Sequence, residues 1–491
     1  MKFRNDARLS EQDIATLVAW ADAGAPKGTA ADPPPPSSSR HWLHPQGLAP
    51  DAVIALPEFS VPATGEIPYV VRRVKVPLTQ DKWIAAIQVR PGNEAVVHHM
   101  GITEIVLDEG ISAEQADAFS ILSRQLGIAD GALTTFRAAV ADPINSNAYD
   151  MLAVYTPGST FESFEGASAK LLKAGANYYI NFNIHYTTIG TPTKDRSQLA
   201  LWFRSKPAEH QLFRSPAATE TIISNGRELL SDDPGTKAEG TYVAIPPIPR
   251  YADNYELIGI SAYTAPVTIY QLQPHAHMRG KDFTYAVVYP DGHEQTLLTV
   301  AKYDFHYQPA YELDAPLQLP AGSKLVVTAH YDNSRNNVHL RNLGSGELGR
   351  NCGPDKEAYF RRQNQTWHEM FSPLVQYSID QPKAGANKRD PHVLRMVEIV
   401  GCLGQEPASG WALMNAGSPH ATTTQSTSSA AIHSSRAVAL GAQEFELLGA
   451  SAFGPQRYAN HKVAVKGVLI ADSQHRRLNV TSLQALAETC L

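Results

Sequence analysis

The sequence predicts a mostly β protein: two tandem antiparallel, jelly-roll-like β-sandwich domains, a small C-terminal OB-like β-barrel and a short N-terminal helix. Three observations lead there. Between about residues 55 and 380 the chain is a series of short β-type runs broken by Gly, Pro, Asn and Asp, the texture of antiparallel sandwiches. "NIHYTT" at 183–188 is echoed by "TAHYDN" at 328–333, each late in its own run of strands, which suggests two related units with a seam near 205–215. At 491 residues the chain is also too long for one core.

Residues 1–40 open with "RLSEQDIATLVAWADAGAPKG", a helix with both ends marked. Ser10 is the N-cap with Asp13 three residues on, and Gly24 and Pro26 stop it. Ile14, Leu17, Val18 and Ala21 form one apolar stripe that needs a partner. The following "AADPPPPSSSR" is a Pro/Ser spacer that cannot supply one.

Residues 41–210 make the first sandwich. In "NYYINFNIHYTT" Ile180, Phe182, Ile184 and Tyr186 share one face, and Asn181, Asn183 and His185 share the other, so a core face backs a polar site. The second sandwich, 211–384, contains the hairpin "FTYAVVYPDGHEQTLLTV", turning at Pro290, Asp291 and Gly292. Residues 385–491 form the barrel tail, which carries no ligand constellation, with strands in "RMVEIVGCLG", "QEFELLGA" and "HKVAVKGVLI" around a Ser/Thr/Ala-rich stretch at 416–436 read as a mobile loop.

Composition removes several classes of function. A net charge of -6 without charge runs gives no basis for binding nucleic acid or an anionic membrane. No apolar stretch approaches the roughly 18 residues of a membrane span, and the first residues lack the apolar centre of a signal peptide. Cys352, Cys402 and Cys490 have neither CxxC nor CxxCH spacing, which removes thiolate zinc and covalent haem. Histidine is plentiful instead, at 18 residues.

In "IYQLQPHAHMRGKDF", His275 and His277 occupy positions i and i+2, on one face of a strand, and can converge on one ion. Two exposed imidazoles are the bland alternative. "EAVVHHMGI" places His98 and His99 side by side, on opposite faces of a regular strand. They can share an ion only at a strand end or an irregularity; otherwise one is buried and one exposed. His185 offers a third imidazole in the same half. Neutral imidazoles suit zinc, copper, iron or nickel alike. A thioether would select Cu(I), and Met370 in "NQTWHEMFSPLVQYS" is the candidate, with core filling as its alternative.

Taken in order, "VVHHM", "NFNIHY", "QPHAHMRGKDF", "TAHYDNS" and "QTWHEM" resemble the copper type II ascorbate-dependent monooxygenases, the peptidylglycine α-hydroxylating and dopamine β-monooxygenase family, especially its bacterial members. The resemblance covers about residues 50–380. It implies two sandwiches, each holding one copper across an open cleft: His98, His99 and His185 on the electron-transfer ion, and His275, His277 and Met370 on the ion that meets oxygen. It further implies hydroxylation of a substrate C–H bond with ascorbate or another one-electron donor. A periplasmic or secreted location follows from it as well.

Departures from the family pattern accompany the match. Three cysteines cannot reproduce the disulfides of animal members; Cys402 with Cys490 could staple the barrel, leaving Cys352 free. "HLRNLGSGELGRNCGPDKEAYFRRQ" reads as an insertion ahead of Met370. No counterpart appears for the arginine and tyrosine that grip a peptide carboxylate, so a peptide substrate does not follow from the resemblance; the partner expected is a small-molecule or peptide-like substrate. The N-terminal helix resembles the closing helix of c-type cytochrome domains, which suggests a longer exported protein and a c-type cytochrome as possible donor.

Of the neighbouring residues, His330 is expected to bond within its strand, His368 to be exposed, Arg279 to be a structural ion-pair partner, and Tyr303, Phe305, His306 and Tyr307 to pack beside the site. A non-catalytic copper-binding or copper-sensing protein is the alternative function. A cupin is disfavoured, because Arg279, Gly280 and Lys281 stand where its glutamate is expected.

Overall fold

The computed structural model describes residues 1–6, 8–27, 42–125, 136–139, 150–158, 161–164, 166–233, 245–341, 343, 347–360, 366–379, 394–406, 410–471 and 475–490. The Pro/Ser spacer lies outside the described residues. Everything else in the predicted architecture is present: sandwiches, closed barrel and N-terminal helix.

In the first sandwich, a five-stranded sheet with Tyr178–Tyr186 between Val70–Lys75 and Val97–Leu107 packs on strands Lys82–Arg90 and Gln198–Phe203. Ile180, Phe182, Ile184, Ile84, Ile87, Leu199 and Leu201 form its dry interior. The even-numbered face of "NYYINFNIHY" is therefore core, as its alternation requires. In the second sandwich, a six-stranded sheet built on Tyr255–Ala262, Lys324–Tyr331 and Gly280–Val288 covers Val267–His275, Tyr311–Leu319 and Ser372–Ile379. The 280–300 hairpin forms, with Gly292 at φ +88° in its turn.

The expected seam near 205–215 is itself a strand. His210–Pro216 pairs in parallel with Ser168–Leu172 of the first half through His210 and Gln211, and antiparallel with Ser372–Ile379 of the second from Leu212 onward. One nine-stranded sheet consequently runs through both sandwiches. Buried polar groups hold the crossing point. Asp150 Oδ1 accepts from Lys170 Nζ and from the Arg214 main-chain N–H, both at 2.7 Å. The Arg214 guanidinium then donates to Glu162 at 2.5 Å and to Gln271 at 2.8 Å, and Gln376 also donates to Glu162. Residues from both halves meet on one arginine, itself 2% exposed.

The tail is a closed barrel in the order Gly410–Ala416, Gln443–Leu448, Arg476–Ala487, Lys462–Ala471, Arg395–Glu406, the last pairing back to the first. Cys402 and Cys490 are disulfide-bonded and Cys352 is free and buried. The stretch read as a mobile loop is instead ordered. Its strand Gly410–Ala416 gives way to a short pairing at His420–Ala421 and the helix Ser429–Arg436, whose N-cap Ser428 accepts from the Ala431 N–H. Ser and Thr here cap and bond locally, which composition cannot distinguish from a solvated loop.

The barrel covers the outer face of the six-stranded sheet, where Ile223 and Ile260 join its core. Lys324, fully buried, sends Nζ to the carbonyls of Val480 at 2.7 Å and Gly449 at 3.0 Å, and burial pushes its pKa down to about 7.

The N-terminal helix spans Glu11–Asp22 with the expected Ser10/Asp13 capping box, and none of its residues is buried. Its stripe has no cover among the described residues. The chain before it is tied down, Phe3 bridging to Leu313 and Asn5 bonding to Ala310.

Asp150→Ala removes the carboxylate paired with buried Lys170 and the acceptor of the Arg214 amide. Breaking such a pair costs about 3–5 kcal/mol, so chemical denaturation should show a loss of that order. A loss below about 1 kcal/mol would mean the seam does not depend on this network.

Candidate metal centre

The adjacent histidines converge through an irregularity. Along the pairing of Tyr178–Tyr186 with Val97–Leu107, His185 faces His99, but Tyr186 faces Val97, so His98 is the extra residue of a bulge. A bulge re-aims one side chain, and it turns both imidazoles toward His185. The ligand-capable atoms of His98, His99 and His185 lie within 4.8 Å of one another. The His98 and His99 Nδ1 atoms are 2.9 Å apart, while His98 Nε2 and His185 Nδ1 are buried with no hydrogen-bond partner.

His275 is the last residue of its strand, and His277 begins the turn that Gly280 closes through its N–H to the His277 carbonyl at 3.2 Å. A Cβ on Gly280 would lie 2.7 Å from the Tyr303 ring and 2.8 Å from Ala276, so the tight turn requires glycine. Both tautomers are fixed. Gln308 donates its amide to the Phe305 carbonyl at 2.6 Å, which turns Oε1 toward His275 Nδ1, also at 2.6 Å. His277 Nδ1 faces the His368 carbonyl at 3.0 Å. Each Nδ1 therefore carries the hydrogen and each Nε2 keeps its lone pair, the usual arrangement behind a metal-ligating histidine. His277 Nε2 is buried and unpartnered.

Met370 belongs to the same locality through its main chain. Glu369 Oε1 accepts the N–H of both His277 and Met370, and Oε2 accepts that of Arg279. One buried carboxylate thus ties the HxH turn to the methionine segment. Burial pushes its pKa up to about 7, against the lowering pull of Arg279 and the three N–H donors.

Burial also keeps the imidazoles neutral. It lowers His98 to about 4 and His185 to about 3, with neighbouring histidines adding to the effect, and it puts His99 and His277 well below the ordinary value. His275 is lowered by burial, with Gln308 opposing. Neutral imidazoles with orphaned lone pairs fit a metal ion of the borderline kind, copper included.

The arrangement of the two sets differs from the open cleft that the resemblance implies. The rings of His99 and His275 are 5.7 Å apart, Phe305 lies 5.0 Å from His98 and 6.0 Å from His277, and Thr366 Oγ1 reaches His185 Nε2 at 3.3 Å. Aromatic rings fill the gap, and His277 is completely buried rather than solvent-reached.

Among the neighbours, Phe305 and Tyr303 pack as expected, and His306 lies 5.6 Å from His98 while remaining exposed. His330 bonds across strands, to Asp282 at 2.7 Å, rather than within its own. His368 is half-buried rather than exposed. Arg279 is structural, but it works through Asn333 and the carbonyls of Trp367 and Cys352. That last bond ties part of the insertion to the back of the HxH turn.

Three residues were missed: Tyr69, Gln308 and Glu369. Tyr69 stacks on His185 at 4.7 Å with its hydroxyl 2.8 Å from His99 Nε2. A lone Tyr before a strand carries no local signal, whereas Glu369 next to Met370 could have been weighed.

Residues 245–347 match the family described as copper type II ascorbate-dependent monooxygenase, C-terminal domain. The matched segment holds His275, His277 and Gln308, and it supports a copper- and ascorbate-dependent monooxygenase. No curated protein matches the chain. Two structures of PNGF-II are similar at 8% identity: the P21 form with TM-score 0.23 over 66% of this chain and 65% of that one, and the C2 form with 0.26 over 68% and 66%. The chain thus spans just under two thirds of the PNGF-II length, and overlap this low carries no argument. Among the described residues no helix is long and apolar enough to cross a membrane.

Two outcomes are expected. Only the unfolded chain protonates His98 between pH 6.5 and about 4, so that histidine removes stability as pH falls through this window. Denaturation of the metal-free protein across the window should show a shallower decline for His98→Gln than for wild type, and equal slopes would place His98 in water. Glu369→Ala orphans three amide donors at about 1–3 kcal/mol each. It should destabilise measurably and lower the bound copper per chain, and unchanged copper content would show that the carboxylate does not position the HxH set.

Proposed function

We propose that the protein is a copper-dependent monooxygenase that hydroxylates a substrate C–H bond with O2 and a one-electron donor such as ascorbate. One coincidence carries the reading: the HxH pair lies inside the segment that matches the copper family, and the carboxylate anchoring that pair also anchors Met370. His275, His277 and Met370 would hold one ion, the thioether favouring its cuprous state. His98, His99 and His185 would hold a second.

Copper in these positions would supply one-electron redox chemistry and a site for O2. The reaction balances as R–H, O2, two electrons and two protons giving R–OH and water, so two one-electron donations are consumed per turnover. The chain's own residues do the positioning. Gln308 and the His368 carbonyl present Nε2 of His275 and His277, so no proton must leave before a cation binds. Phe305 and Tyr69 exclude water beside the imidazoles, which favours electron transfer over side reactions.

The substrate we propose is a small molecule or a peptide-like one. Ascorbate or a c-type cytochrome is the proposed donor, and the proposed setting is periplasmic or secreted.

Copper-loaded protein should consume O2 in an ascorbate-dependent manner with a trial substrate, and Met370→Ala and His275→Ala should each fall to background while retaining the wild-type circular dichroism. Activity equal to wild type in either variant would exclude these ligands. Stoichiometric copper binding with no oxygen consumption across a substrate panel would favour a binding or sensing protein.

A further inference from the structure

The barrel tail, whose sequence offers no ligand constellation, gathers a polar row when it folds. Lys466, Glu398 and His420 stand on three neighbouring strands, Glu398 pairing in register with Lys466 on one side and with His420 on the other. Val397, Ile399 and Val465 belong to the barrel core, so by alternation the row points outward. The helix Ser429–Arg436 forms the facing wall of a cleft of about 530 Å³. We propose that this cleft binds a neutral, polyhydroxylated small molecule of the saccharide class. The inference is independent of the copper reading, since no lining residue belongs to either histidine set.

The cleft is built before any ligand arrives. Ile432 and Val438 seat the helix on Val400, Ala464 and Leu486 of the barrel. The loop ahead of the helix is pinned to both neighbouring domains. Gln425 exchanges two hydrogen bonds with the Ala262 main chain of the second sandwich, at 2.7 and 3.0 Å, and Thr427 meets Ser482 Oγ of the barrel at 2.7 Å. The Ser231 N–H donates to the Thr427 carbonyl at 2.9 Å, and the Ser429 N–H donates to Asp232 at 2.8 Å. With the hydroxyl-bearing wall held in place, little loop ordering accompanies binding.

The lining dictates the class of ligand. Lys466, 4% exposed, donates from Nζ to Thr424 Oγ1 at 2.9 Å and to the Ser426 carbonyl at 2.7 Å, and lies 3.8 Å from Glu398 Oε2. Glu398 Oε1 accepts from Ser435 Oγ. At 3.8 Å the other carboxylate oxygen is beyond hydrogen-bond length and keeps its capacity to accept. An anion entering the cleft would meet Glu398 and a cation would meet Lys466, so a neutral molecule is favoured. Thr422, Thr424, Ser428 and Ser434 add hydroxyls to the lining. A hydroxyl donates and accepts alike, and its best complement is a ligand whose own hydroxyls do the same in several directions. Ala431 and Val438 offer apolar contact for the C–H faces of a sugar ring. The volume lies within the roughly 300–1,000 Å³ of small-molecule sites.

Its place in the fold makes the cleft a holding site. The six-stranded sheet of the second sandwich stands between the barrel and the sheet that carries His275. A saccharide bound to the tail is therefore held by the chain without being brought to the histidines.

Calorimetric titration of the full chain tests the proposal, with glucose, galactose, mannose, N-acetylglucosamine and maltose as neutral probes and glucuronate and glucosamine as charged counterparts. At least one neutral sugar should bind, and more tightly than either charged one. Glu398→Gln, which removes a charged acceptor, should weaken that binding about tenfold or more. Ser434→Trp, which fills the cleft from an exposed position on the helix, should abolish it. The second change disturbs no buried contact, so it decides the matter if the first variant fails to fold. Absence of binding by every neutral sugar, or tighter binding of glucuronate or glucosamine, would overturn the proposal. Wild-type affinity in Ser434→Trp or in folded Glu398→Gln would overturn it as well. Sugar binding and oxygen consumption are separate readouts, so failure here leaves the copper reading standing.

Discussion

Continuity of one sheet across two sandwiches is the constraint on which the rest of this molecule depends. His210–Pro216 bonds to the first half at its start and to the second from Leu212 onward, and this places two separately built polar faces against each other. The charges at the crossing are not there for attraction alone. A buried lysine and arginine would be strongly unfavourable without Asp150 and Glu162, and satisfying them requires both halves to be in register. The network therefore acts as a registry device for the sandwiches, and the candidate metal centre inherits that registry.

The centre itself is assembled from departures from regular structure. A bulge supplies His98, a strand end supplies His275, and a glycine-closed turn supplies His277. Regular strands would have sent at least one of these imidazoles into a core or into water. Around them, acceptors with fixed orientation decide which nitrogen is free, and burial decides that it is unprotonated. The same burial means that these histidines are also packing residues, joined to Phe305 and Tyr69, so the fold supports the site and the site completes the fold.

The tail has a structural task for which its composition gave little hint. It covers the outer face of the second sandwich, and it accepts a fully buried lysine on main-chain carbonyls, a bonding pattern available only when the two domains are docked. The N-terminal helix stands at the opposite extreme, well capped yet covered by nothing among the described residues. Local sequence was sufficient to form it, since a capping box and helix-favouring residues need no tertiary partner to define its ends.

What the sequence alone determined was whatever depends on neighbours along the chain: strand texture, the core face of 178–186, the 290–292 turn, the helix caps, and the pairing of His275 with His277 at a strand end. It also required an irregularity at His98 and His99 if the two were to cooperate, because adjacent residues on a pleated strand diverge. Tertiary structure decided the rest, and the reason is the same in each case. Tyr69, Gln308 and Glu369 act through partners tens to hundreds of residues away, and a carboxylate that accepts two distant amides besides its neighbour's looks like any other glutamate until the chain is folded. The Ser/Thr-rich stretch became ordered because its hydroxyls found local and cross-domain acceptors. The separation of the two histidine sets was likewise beyond the reach of spacing or motif, since it is set by a strand shared between two domains and by the aromatic rings packed where an open gap was expected.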